Sequence, residues 1–100
     1  MKNEMQDTAQ VNNLELLQFY AEWCQPCKMM MPIVELIKQK SINWLTVKQI
    51  DVDENSELSG KYQIRSIPTF VVLKNNEEIW RKTGMLSEHA FLDILKSLDK

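Results

Sequence analysis

Phe19-Tyr20-Ala21-Glu22-Trp23-Cys24-Gln25-Pro26-Cys27-Lys28 holds both cysteines of this 100-residue chain, and the residues around it decide the fold. Upstream, Leu14 to Tyr20 is an apolar run with the length of a buried strand. Downstream of Cys27 the apolar residues recur with helical spacing, so the cysteines fall where a strand hands over to a helix, as in a redox dithiol. The first amides of a helix lack intrahelical partners, and with the helix dipole they favour negative charge nearby. Cys24 is therefore expected to be stabilised as the thiolate, the form that attacks disulfides. Cys27 lies one turn further on, within reach of Cys24, where it can resolve a mixed disulfide. Pro26 suits the first turn, because its missing N–H would have had no partner there. The spacing alone is a modest signal, since metal sites and structural bridges share it.

Composition narrows the function classes. One hundred residues with 44% hydrophobic content suggest a single domain with one core. A net charge of −2 provides no basic patch for nucleic acid. No window approaches the roughly 18 apolar residues of a membrane span. Met1 to Asn13 is polar and shows no secretory signal, so the expected location is the reducing cytoplasm, unless an export segment has been removed.

Glu4 to Val11 is compatible with a short helix. A strand is expected over Leu14 to Tyr20 and a helix from about Gln25 to Gln39, with Met30, Ile33, Val34 and Ile37 as its core stripe. Pro32 is expected to kink that helix. Met29-Met30-Met31 reads as ordinary packing rather than a metal or substrate site. Ile42 to Val52 reads as the next strand. Asp53-Glu54-Asn55-Ser56 can cap a short helix from about Glu57 to Tyr62. Thr69 to Lys74 and Glu77 to Thr83 read as a hairpin around Asn75-Asn76, since asparagine tolerates positive φ. Ser87 is expected to cap a last helix whose apolar face carries Phe91, Leu92, Ile94, Leu95 and Leu98. The order is strand, helix, strand, helix, hairpin, helix, an α/β sandwich whose first two strands are parallel.

With Trp23-Cys24-Gln25-Pro26-Cys27-Lys28 and Pro32, with Lys61-Tyr62-Gln63-Ile64-Arg65-Ser66-Ile67-Pro68-Thr69, and with Gly84 after the final strand, the chain resembles the thioredoxin family from about Leu14 to Leu98. The resemblance implies a thioredoxin-like fold: a single domain over residues 1–100, with a central mixed sheet of about four strands flanked by helices, shortened at the N-terminus. It implies a cis peptide bond before Pro68, beside the cysteines. An X-Pro bond adopts cis at modest cost, and a proline inside a central strand would break the ladder; the alternative is a trans proline that simply starts the strand. It also implies a docking surface for extended protein segments made by Trp23, Gln25, Pro26, Ser66, Ile67, Pro68, Thr83, Gly84 and Met85, with the Ile67 backbone pairing to substrate.

The chain departs from the family pattern at three glutamines and at Met85. Gln25 replaces the usual glycine between cysteine and proline, and Met85 is larger than the residue usual at its place. Gln18 stands where the family usually has a buried aspartate, and Gln49 where it has the accompanying lysine. Losing both charges together is coherent, because one unpaired interior charge would cost several kcal/mol, whereas two amides can bond each other. The resemblance assigns the aspartate a part in deprotonating the resolving cysteine, which glutamine cannot play.

The expected function is reduction of protein disulfides, with Cys24 as nucleophile and Cys27 as resolving cysteine. A reductase-type electron donor regenerates the dithiol, and neither a further cofactor nor a metal is needed. The chain is expected to act as a monomer, with no nucleic-acid or membrane partner. An oxidase or isomerase of the same fold is the alternative, since such dithiols span about −270 mV in thioredoxin to about −120 mV in strong oxidants. A non-enzymatic binding module ranks below it. A zinc or iron–sulfur site would need more ligands than two cysteines and the distant His89, which reads as a solvated surface residue. A purely structural bridge would close too short a loop to gain much chain entropy.

Overall fold

The computed structural model describes residues 14–99. Within them the chain forms β1 (Leu14–Tyr20), α1 (Gln25–Lys40), β2 (Leu45–Asp51), α2 (Ser56–Lys61), β3 (Thr69–Lys74), β4 (Glu77–Thr83) and α3 (Glu88–Leu98). The strands make one sheet in the order β2-β1-β3-β4. β1 and β2 run parallel, while β3 is antiparallel to both β1 and β4. The expected mixed four-stranded sheet flanked by helices is therefore present among the described residues. The expected helix over Glu4 to Val11 and any shortening of the N-terminal part lie outside them.

β1 is buried on both faces, which is why it reads as a nearly continuous apolar run. Leu14 and Leu16 face one way and join Met30, Val34, Ile37, Phe70, Val72, Phe91 and Leu95 in the larger core. Leu17 and Phe19 face the other way and pack with Ile50, Val71 and Leu73, beneath Leu58, Tyr62, Ile64 and Ile67. Gln18 follows Leu14 and Leu16 on the first face and is fully buried.

Three local expectations are corrected. The second strand begins at Leu45 rather than Ile42. Ser41 ends α1, and its carbonyl accepts from the amides of Trp44 and Leu45, so residues 41–44 turn before the strand starts and Ile42 is left 77% exposed. The short helix spans Ser56–Lys61 with Asn55 at its N-cap, but the Asn55 side chain makes no cap bond and instead donates to the Asp51 carbonyl. In the methionine run, only Met30 is core; Met29 is 53% exposed and Met31 is half-buried.

Pro32 lies inside α1, which runs on past it to Lys40. The hairpin turn and the last helix cap are as expected. Asn75 and Asn76 turn the hairpin with φ of 54° and 69°, matching a turn that needs positive φ at both centres. The Ser87 side chain accepts from the Ala90 amide. A register shift between Val72 and Leu73 leaves Ile79 of β4 without a partner. That irregularity, with the charged Glu77, Glu78, Arg81 and Lys82, makes this outer strand a poor template for further pairing.

Candidate active site

β1 delivers the chain to the cysteines and α1 fixes them. The Cys24 amide donates to the Ala21 carbonyl, a tight turn that starts the helix without a linker. Cys24 is the N-cap of α1, and its sulfur accepts the Cys27 amide at 3.2 Å. An orphan helical N–H is thus aimed at the sulfur that the sequence assigns as nucleophile. Pro26 sits in the first turn, as expected.

Cys24 and Cys27 are joined in a disulfide, with their Cα atoms 5.2 Å apart. Cys27 has no exposure and Cys24 only 5%. They pack with Ala21 against the partly buried Tyr20, Val52 and Ile67. A reagent therefore reaches Cys24 before Cys27.

In front of the pair, Trp23 is 71% exposed, which excludes a core role for it. Gln25, Pro26, Ser66, Thr83 and Met85 are also exposed; Ile67 and Gly84 are half-buried, and Pro68 is buried. The Ile67–Pro68 bond is cis. The Pro68 carbonyl accepts the Gly84 amide at 2.9 Å, tying the segment before β3 to the one after β4. Thr69 reinforces that tie through its hydroxyl, which meets the Ser66 carbonyl at 2.7 Å and the Thr83 hydroxyl at 2.9 Å. Gly84 has φ of +104°, a backbone shape that side chains disfavour. Of the nine residues expected at a docking surface, Ile67 packs against the cysteines and Gly84 is bonded to Pro68, while the Pro68 side chain is buried and Met85 is open to solvent.

Further along α1 lies the amide layer. Gln49 Nε2 donates to Gln18 Oε1 at 2.9 Å, the direct bond expected between these residues. Gln18 and Gln49 are register partners across β1 and β2. Only Gln18 is interior, however; Gln49 is exposed, because β2 is the outer strand among the described residues. Gln18 Nε2 donates in turn to Met31 Sδ at 3.4 Å. Met31 follows Cys27 by one helical turn, so the layer reaches the same helix face as the resolving cysteine.

Two contributors escape the sequence reading. Met31 is one, since nothing separates it from its two methionine neighbours except its register on the helix. Asp53 is the other: its carboxylate accepts the Trp23 indole N–H at 2.9 Å. The segment carrying it is held by the Asp53 amide on Asp51 Oδ1 and the Val52 amide on the Tyr20 carbonyl. An aspartate just past a strand end facing an exposed tryptophan is a weak signal, readable only once β1 and β2 are known to be adjacent. His89 is a surface residue, 3.3 Å from Asp93.

The thioredoxin family model matches residues 2–97. The chain is 41% identical to a thioredoxin of Bacillus subtilis over 80 residues, 80% of this chain and 77% of that protein. It is 35% identical to a thioredoxin of Mycoplasmoides gallisepticum over 95 residues, 95% of this chain and 94% of that one. Among solved structures, a mutant thioredoxin from Halobacterium salinarum superposes with a TM-score of 0.82 at 34% identity, covering 100% of this chain and 87% of that one. The germline-specific thioredoxin Deadhead from Drosophila melanogaster gives 0.81 at 36% identity, covering 95% of this chain and 90% of that one.

Proposed function

We propose, from the premise that this chain belongs to the thioredoxin family and is a protein-disulfide oxidoreductase, that Cys24 is the attacking and Cys27 the resolving cysteine in the reduction of protein disulfides. The Cys24 thiolate attacks one sulfur of the substrate disulfide. A Cys24–substrate bond forms, the substrate S–S bond breaks, and the first substrate sulfur leaves as a thiolate. Cys27 then gives up its proton, and its sulfur attacks Cys24. The Cys24–Cys27 bond forms and the second substrate thiolate departs. The substrate has gained two electrons and the dithiol has lost two, so the two sulfurs are the electron carrier and no further cofactor is called for.

The observation that carries this assignment is the Cys27 amide directed at Cys24 Sγ, with Cys27 wholly buried behind it. The amide and the helix N-terminus favour charge on Cys24. Trp23, Gln25, Pro26, Ser66, Ile67, Pro68, Thr83, Gly84 and Met85 serve as the docking surface, where an extended substrate segment lies along the Ile67 backbone. The Cys27 proton goes to water or to the departing thiolate, since Gln18 cannot accept it. A reductase-type donor of two electrons and two protons restores the dithiol. The chain works as a monomer in the reducing cytoplasm, where the dithiol form is maintained.

Cys27→Ser is expected to stop the reaction at the mixed disulfide, isolable on a protein-disulfide substrate and released by an added thiol, while Cys24→Ser forms none. Equal trapping by the two variants would overturn the assignment.

A further inference from the structure

Two cavities open beside the cysteine loop, and their charges differ. One, of about 350 Å³, is lined by Tyr20, Ala21, Glu22, Lys28 and Met31 and so carries both signs. The other, of about 180 Å³, lies between Trp23 and the 64–67 segment, lined by Trp23, Val52, Ile64, Arg65, Ser66 and Ile67. Its walls are mostly apolar, and its single charged liner is Arg65.

Arg65 is exposed and makes no ion pair or side-chain hydrogen bond among the described residues. Arg81, by contrast, is held by Glu78 and by the Tyr62 carbonyl. The acid that touches the cavity wall, Asp53, is engaged with the Trp23 indole and does not line the cavity. A guanidinium that stands uncompensated beside an apolar recess offers a fork for a carboxylate. Its place in the chain matters equally. Arg65 precedes Ser66 and Ile67 by one and two residues, so a strand laid along the Ile67 backbone passes within side-chain reach of it.

We propose that Arg65 selects among protein disulfides, favouring those whose attacked cysteine lies in an extended segment with an apolar neighbour and an adjacent aspartate or glutamate. The apolar neighbour occupies the recess between Trp23 and Ile67, and the carboxylate meets Arg65 at its rim. This rests on the docking along Ile67 proposed above. A rim charge acts chiefly on the rate of encounter, so the preference weakens as salt rises.

The test uses two short peptides with the same leucine and cysteine, one carrying glutamate and the other lysine beside them, each presented as a mixed disulfide with thionitrobenzoate. Attack of Cys24 on the peptide sulfur releases the coloured thiolate, whose appearance gives the rate. Because glutamate and lysine also alter the peptide sulfur itself, the quantity read is the glutamate-to-lysine rate ratio of each variant relative to wild type. At low salt Arg65→Gln is expected to lower that ratio about threefold, and Arg65→Glu to lower it by about that factor again, as exposed charge pairs allow. The difference should shrink in high salt. An unchanged ratio in Arg65→Glu, or equal slowing of both peptides, would overturn the selection by Arg65. Absence of Cys24-dependent release from either peptide with the wild-type dithiol would instead strike at the nucleophile assignment.

Discussion

In front of the disulfide the Trp23 indole is tied to Asp53, while the apolar surface and Arg65 at its rim are left open. Behind it, the polar groups are engaged with one another. Trp23 stands 71% exposed with its N–H fixed by Asp53, and Met85 is also exposed. Gln18, in contrast, has no exposure, and its amide is used at both ends, accepting from Gln49 and donating to Met31. The apolar area at the front has no internal partner, which suits it to the docking proposed above. The back is satisfied, and no buried side-chain polar atom among the described residues lacks a bond. Neutral partners suit this position because burying an amide costs little once it is hydrogen-bonded, whereas a carboxylate would require a cation beside it.

The front is broken most directly at Trp23. Trp23→Ala removes a large exposed contact without opening the core, so the fold should persist. Catalytic efficiency on a protein disulfide should fall about tenfold, the loss typical of an interface anchor. A small aromatic disulfide, which needs little docking area, should react nearly as before. Equal losses on both substrates would place Trp23 in the chemistry rather than in docking.

The back is broken by giving it an acid. Gln18→Asp introduces a carboxyl that can take the Cys27 proton, and exchange near neutral pH should speed up about fivefold, a modest share of what a positioned base can supply. Desolvation raises the folded-state pKa of that carboxyl. The folded state then holds its proton more tightly than the unfolded chain, so the variant's stability is fully present at acid pH. It declines as pH rises past the ordinary carboxylate range, by about 1.4 kcal/mol for each unit of the rise. Adding Gln49→Lys should restore part of it by supplying a cation. An unchanged exchange rate in a folded Gln18→Asp would show that the amide layer does not limit the resolving step.

Asp53→Asn tests how firmly the front is held. Asparagine still offers an oxygen to the indole N–H, but without the charge that strengthens the bond. KM for a protein disulfide should rise about threefold with kcat unchanged, and Trp23 fluorescence should report a looser ring. A fall in kcat alone would move Asp53 from positioning into the chemistry.

The two sides also differ in how far sequence exposes them. The front is a matter of short motifs: Trp23 to Cys27 and Ser66 to Thr69 are contiguous, and the helix that begins at Gln25 sets the geometry of the cysteines by local rules. Asn75-Asn76 is equally local, and its positive φ values follow from residue type. The back depends on registers. Gln18 and Gln49 were recognisable as a pair through family resemblance, but that Gln49 is solvated depends on the position of β2 at the outside of the described sheet. Met31 is chosen over Met29 by the rotation of α1, and Asp53 reaches Trp23 across 30 residues. The apolar Ile42 and Trp44 mislead for a related reason: the turn at Ser41 uses up backbone groups that a strand would need, and no residue-type signal marks that use.

An ion pair remote from both sides fixes the sign of the pH signatures. Arg81 bonds Glu78 at 2.8 Å through Nε and holds the Glu78 carboxyl below its usual range, chiefly by that side-chain hydrogen bond. The lowered folded-state pKa means that this contribution is present above the ordinary carboxylate range and is lost as pH falls through the lowered value. That is opposite in direction to the decline expected of Gln18→Asp. With side chains 33% and 36% exposed, the pair should be worth less than about 1 kcal/mol. Glu78→Gln removes the titrating group but leaves Arg81 free to keep its 2.7 Å bond to the Tyr62 carbonyl. Thermal unfolding of Glu78→Gln should therefore fall slightly below wild type at neutral pH and converge with it in acid. A gap independent of pH would mean that the pair stabilises through packing rather than charge. In a Gln18→Asp background stability should therefore fall on both sides of the ordinary carboxylate range, in acid through Glu78 and at higher pH through the introduced carboxyl.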